Sequence, residues 1–254
     1  MDKRIGAQLF TVRAHTQTLE ELENTLNRIS KIGYKTVQLS AIGPFKAQQI
    51  REACQRYGLT PVCTHRSWEE LRNHTEESIQ FHQEIGCDIA GIGAIPKLRE
   101  GFTWDELVRF VDEMNVVNRK FRDSGISFVY HNHDVEFGKI DGMRPMEYLL
   151  EKGEFDFIVD VYWVACAGID PAKFIRHLGQ RAKVIHFKDL TVPPLGKAQQ
   201  MTEVLEGNLD WDSIIEASEK ASARWAVVEQ DVCPGDPFDS LKISYRNLLL
   251  KGFC

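Results

Sequence analysis

The chain has 254 residues, 43% hydrophobic and 27% charged, which is enough to bury a sizeable core and excludes a disordered polymer. A formal net charge of -6 argues against broad nucleic-acid binding, which needs a basic footprint. Met1-Asp2-Lys3-Arg4-Ile5 begins no apolar signal core, and no stretch approaches the roughly 20 apolar residues of a membrane span, so a cytoplasmic protein with no membrane partner is expected. Cys54, Cys63, Cys87, Cys166, Cys233 and Cys254 form no CxxC pair and read as reduced thiols.

Residues 4–10 form a short apolar run that predicts a strand, and Thr18-Leu19-Glu20-Glu21 a capping box opening a helix with Leu22, Leu26 and Ile29 inward. Thr36-Val37-Gln38-Leu39 is a second strand, followed by a helix face of Ala47, Ile50, Cys54 and Tyr57. Thr60-Pro61-Val62-Cys63-Thr64-His65 is a third, with one helix over 68–85 presenting Leu71, Ser78, Ile79 and Ile85. Ile89-Ala90-Gly91-Ile92-Gly93 is a fourth, and Thr103-Trp104-Asp105-Glu106 caps its helix. The fifth enters Tyr130-His131-Asn132-His133-Asp134-Val135-Glu136-Phe137, with a short helix from Pro145. Phe157-Ile158-Val159-Asp160 is the sixth, and Asp170-Pro171 caps the helix after it. The seventh spans 182–187 and meets a long loop, 189–208, containing Pro193-Pro194 and Gly196, a length that suggests a lid or binding loop. Asp210 opens a helix, Trp225 to Glu229 is the eighth strand, and Pro237 starts the last helix.

Eight strand–helix units without a linker-like break predict one domain over 1–254, a (β/α)8 barrel. An open dinucleotide-binding sheet is the alternative, but no GxGxxG follows the first strand. Barrel chemistry gathers where strands end at the C-terminal rim. Four apolar runs here end in chelating residues: the fifth strand, Asp160, His186 and Glu229.

Each has a structural competitor. Asp160 could merely cap a loop and His186 could be a satisfied core histidine, whereas Glu229 at a strand end would be costly unless it faced a cation. On the fifth strand His131, His133, Asp134 and Glu136 compete for one position, and alternation sends His131 and His133 to the same side. Two Glu, one Asp and one His would suit Mn2+, with Mg2+, Co2+ or Zn2+ as alternatives. Gln8, Arg13, His65, Trp163 and Lys188 are candidates for substrate contact.

Taken together, Gln8-Leu9-Phe10-Thr11-Val12-Arg13, the segment from Tyr130 to Phe137, Asp160-Val161-Tyr162-Trp163 with Ala167-Gly168, His186-Phe187-Lys188-Asp189, Glu206-Gly207 and Glu229-Gln230-Asp231 resemble the sugar phosphate isomerase/epimerase family, the xylose-isomerase-like TIM barrels. The resemblance implies a divalent metal on Glu136, Asp160, His186 and Glu229, with His133 the substitute for Glu136. It also implies that Glu136 and Glu229 exchange the proton of a sugar such as a ketose or keto-sugar; the rim reading expects Gln8, His65, His131, His133, Trp163 and Lys188 about the substrate. A keto-inositol-type dehydratase is the second enzyme reading, and a non-catalytic sugar-binding protein the third. Abasic-site endonuclease relatives fit poorly with the acidic balance, and a homo-oligomer is compatible with the sequence.

Overall fold

In the computed structural model, residues 1–97, 100–194 and 198–254 are described; Gly196 of the expected long loop falls outside them. The strands are β1 (Gly6–Gln8), β2 (Thr36–Leu39), β3 (Thr60–Arg66), β4 (Ile89–Ile92), β5 (Ser127–His131), β6 (Asp156–Asp160), β7 (Ala182–Phe187), β8 (Asp189–Thr191), β9 (Gln200–Thr202) and β10 (Trp225–Val228). Around them run α1 (Leu19–Ile32), α2 (Ala47–Arg56), α3 (Trp68–Asn73), α4 (Thr75–Ile85), α5 (Trp104–Asp123), α6 (Pro145–Lys152), α7 (Val161–Cys166), α8 (Pro171–Leu178), α9 (Trp211–Lys220) and α10 (Pro237–Leu249).

Eight strands close in the order β1-β10-β7-β6-β5-β4-β3-β2, with β2 returning to β1. Every pairing is parallel. The expected (β/α)8 barrel is therefore the fold. Its helices start where side chains satisfy the free N–H groups of the first turn: Thr18 with Glu21 and Thr103 with Glu106 form reciprocal boxes, and Asp170, Asp210 and Asp236 cap α8, α9 and α10. Among the described residues no helix is long and apolar enough to cross a membrane.

Three elements differ from expectation. β1 stops at Gln8, whose Oε1 turns back to accept the Phe10 N–H at 3.4 Å, and residues Leu9–His15 coil into a 3-10 helix. The single helix over 68–85 is two, because His74 leaves helical geometry at φ -131° and ψ 49°. The loop over 189–208 contains an antiparallel hairpin, β8 with β9.

That hairpin hangs on one carboxylate. Asp189 accepts from the Leu190, Leu205, Gly207 and Leu209 amides and, at 2.6 Å, from the Trp211 indole. Gly207 must stay without a side chain, since a Cβ there would lie 2.4 Å from Asp189 Oδ1.

His82 on α4 shows how the outer layer tolerates a buried titratable ring. Its Nδ1–H donates to the Ser78 carbonyl at 2.6 Å and its Nε2 accepts from the Thr64 hydroxyl at 2.8 Å, so the neutral form satisfies both nitrogens. Burial pushes its pKa from the ordinary 6.5 down to about 4. Between those values the unfolded chain binds a proton that the folded chain refuses, so stability falls as pH drops through this window and levels off below it. The loss is on the order of 3 kcal/mol. Urea unfolding at about pH 7 and about pH 4.5 should show a smaller drop for His82→Gln than for the wild type; equal drops would remove His82 as the cause.

Candidate metal centre at the barrel rim

The barrel interior carries a buried apolar cluster that includes Cys63, Val129, Ile158, Val184 and Val227. Side chains two residues apart on a strand share a face. One step towards the C-terminal rim from those five positions therefore stand His65, His131, Asp160, His186 and Glu229, all directed into the barrel. One ligand atom from each of His131, Asp160, His186 and Glu229 lies within 4.8 Å of the others, and all four residues are buried.

Glu136, expected in this group, is elsewhere. It lies in a 3-10 turn, Val135–Phe137, where its carboxylate accepts from the Tyr130 hydroxyl at 2.5 Å and the His133 N–H at 3.0 Å. Tyr130 faces away from the interior because it neighbours His131 on the strand, and it takes Glu136 with it. The structure does not bring Glu136 into the group; His131 stands at the fifth-strand position. His133, the expected substitute, is also outside the group and stacks on His131 and Trp163 with ring centroids 4.8 and 5.4 Å apart.

The hydrogen-bond pattern fits a cation. His131 Nδ1 lies 3.0 Å from the Gly93 carbonyl, which can only accept, so in the neutral ring the Nε2 lone pair would face Asp160 Oδ2 at 3.2 Å. His186 Nε2–H donates to Gln38 Oε1 at 2.9 Å, which leaves Nδ1 facing Glu229 Oε2 at 2.9 Å with no hydrogen bond of its own. Positive charge removes both repulsions, supplied either by a proton on each ring or by a cation; at His131 burial opposes the proton, but Asp160 outweighs it and raises the pKa. Gly93 and Gln38 orient the imidazoles as outer partners of metal-binding histidines do. Asp160 is fixed likewise: Asn132 Oδ1 accepts its N–H at 2.9 Å, and Asp160 Oδ1 caps α7 at Trp163, freeing Oδ2 for the group.

Charge balance points the same way. Lys188 Nζ is buried 2.8 Å from both Asp231 oxygens, 3.3 Å from Asp160 and 3.4 Å from Glu229. Three carboxylates thus face one ammonium, and the remaining two negative charges match a divalent ion. Burial works to raise the Glu229 pKa, but Lys188 and His186 outweigh it and hold the carboxyl well below the usual range. Burial is likewise overcome at Asp160, by Lys188 and His131. Asp231 goes the other way, raised by burial and by the charge of Glu229.

A cleft of about 350 Å3 opens above the group, lined by His65, His133, Trp163, Lys188, Glu229 and Asp231 among others. His65 is kept neutral by burial and by the neighbouring His131 and His186. Gln8, the last residue of β1, is fully buried and does not line the cleft, and Arg13 is turned to the Phe10 and Asp231 carbonyls. Gln38, Asn132 and Asp231 were not singled out from the sequence. Asp231 had a usable signal, since it lies two positions beyond Glu229.

A closed parallel barrel with its helices outside is a TIM barrel, and its C-terminal rim gathers two imidazoles and two carboxylates that could hold a metal ion. The model of the xylose isomerase-like TIM barrel family matches residues 26–239, and the chain belongs to that family. A sugar phosphate isomerase/epimerase from Parabacteroides distasonis superposes with a TM-score of 0.77 at 18% identity, over 97% of this chain and 93% of that one. A probable 3-DHS dehydratase from Bacillus anthracis gives 0.74 at 14% identity over 98% and 99%, and a D-allulose 3-epimerase from Methylomonas sp. gives 0.71 at 12% over 98% and 97%. No curated protein sequence matches the chain.

Calorimetric titration with Mn2+ separates the two fifth-strand candidates. His131→Ala should weaken binding by at least about 100-fold, and Glu136→Gln by no more than roughly a few-fold. The reverse order would restore Glu136 as the ligand.

Proposed function

We propose that the chain, as one domain over 1–254, is a divalent-metal-dependent isomerase or epimerase of a ketose or keto-sugar. The reading is carried by one observation: a buried His131, Asp160, His186 and Glu229 group beneath a small-molecule cleft, in a xylose isomerase-like barrel. Those four residues would hold the ion. Replacing a carboxylate by His131 makes the donor set two nitrogens and two oxygens, which favours Mn2+, Co2+ or Zn2+ over Mg2+. A divalent ion there would supply the positive charge that polarises a sugar carbonyl and makes the neighbouring C–H acidic.

Glu229 is the proton acceptor in this scheme. It lines the cleft and stays ionised because Lys188 and His186 lie beside it, so it can take a proton from the carbon next to the carbonyl and return it. Lys188, held by Asp231 and lining the same cleft, would donate to the substrate oxygen on which charge builds. Trp163 and His133 form an aromatic wall against which a sugar ring can lie. Glu136 is not available as the second base, since its carboxylate is committed to Tyr130 and the His133 amide.

That observation also favours a second reading. One carboxylate base facing an ammonium donor suits loss of water from a keto-sugar, where Glu229 takes the proton and Lys188 protonates the departing hydroxyl. A dehydratase is therefore the alternative. A screen of ketoses and keto-inositols in deuterated water distinguishes the two: isomerase or epimerase chemistry gives solvent deuterium uptake with no loss of water, and a dehydratase product is lighter by one water. Glu229→Gln should lower turnover by on the order of 10²–10⁴-fold. Normal turnover by that variant would exclude Glu229 as the base.

A further inference from the structure

A second space adjoins the cleft over His131, Asp160, His186 and Glu229. Beyond Ala41, His65 and Arg66, which line both spaces, lies a second compartment of about 390 Å3, beside the 350 Å3 of the first. Each alone reaches the size of a ligand site, roughly 300–1,000 Å3. A sugar ring seated on that group would lie in the first space, and the second adjoins it across those three residues.

The shared wall includes one strained residue. Ala41 is left-handed at φ 52°, a conformation that costs a residue with a side chain roughly 1–2 kcal/mol. It is held there by Gln17, whose Nε2 donates to the Ala41 carbonyl at 2.9 Å, and by the Gly43 N–H, which donates to the Thr16 carbonyl at 2.9 Å. Only a methyl group stands at this part of the wall. Two buried nitrogens at the partition, His65 Nε2 and Arg66 Nε, have no hydrogen-bond partner among the described residues.

The chemistry of the far compartment is aromatic and charge-balanced. Phe45 and Phe81 supply ring faces, with Ile42 and Ile50 beside them. The Arg66 guanidinium lies 4.0 Å over the Phe81 ring and is paired with Glu70 four residues on, and both charged residues line the space. Because Glu70 already answers the Arg66 charge, a phosphate would gain little here. A neutral ring bearing hydroxyls finds aromatic faces for its C–H groups, together with fixed donors and acceptors for its oxygens.

We propose that the substrate is a neutral ketose carrying a second sugar ring, with the ketose over His131, Asp160, His186 and Glu229 and the second ring between Phe45, Phe81 and the Arg66–Glu70 pair. This rests on the sugar-converting reading above and names its substrate class.

The test uses the full chain loaded with Mn2+. Calorimetric titration and solvent deuterium uptake are measured with D-fructose, fructose 6-phosphate, and the keto-disaccharides maltulose and lactulose. The disaccharides should bind at least about 10-fold more tightly than fructose or fructose 6-phosphate. Phe45→Ala and Phe81→Ala should each remove that gain and leave fructose and Mn2+ affinity unchanged. The wild-type comparison stands even if a variant fails to fold. Equal or tighter binding of fructose or fructose 6-phosphate overturns the second ring; if fructose then takes up deuterium, the sugar-converting reading survives. Absence of binding by every probe overturns both.

Discussion

Closure of eight parallel strands forces side chains of one parity into a common interior, and the site depends on that constraint. Val129, Ile158, Val184 and Val227 pack as one apolar layer. The residues two positions on have no choice but to meet above it. Residues more than 90 positions apart in sequence, such as His131 and Glu229, thereby become neighbours. No local interaction brings them together. The apolar layer below supplies the rigidity, and the rim layer supplies the function.

Such a layer would be unstable if its charges were left unanswered. Burying ionised carboxylates costs several kcal/mol per ion unless opposite charge and hydrogen bonds compensate. Lys188 compensates part, and Asn132, Gln38 and the Gly93 carbonyl fix the remaining polar atoms. The remainder is the reason a divalent ion fits. A core that packs hydrophobic residues below and concentrates negative charge above has placed its electrostatic cost where a ligand can offset it.

Much of the barrel could be read from the sequence because its signals are local. Thr18 with Glu21, Thr103 with Glu106 and Asp170-Pro171 mark helix starts by chemistry confined to four residues. The break at His74 and the hairpin within 189–208 have weaker signals, since both are decided by packing and by long-range hydrogen bonds to Asp189. At the site, Asp160, His186 and Glu229 could be grouped because each closes an apolar run. The fifth strand divides two kinds of reasoning. Alternation sets His131 inward, whereas a preference for a carboxylate selects Glu136; only the position of Tyr130, one residue before His131, shows why Glu136 is drawn outward. The Lys188–Asp231 contact joins β7's end to the segment after β10, a meeting that depends on strand order around the barrel.

Lys188 and Asp189 are consecutive yet face different worlds, one into the ligand group and the other into the loop whose amides it collects. The rim hairpin and the site's own cation are therefore fastened to a single peptide unit. The contacts that anchor the hairpin and the charge that keeps Glu229 ionised thus start from neighbouring residues of the chain.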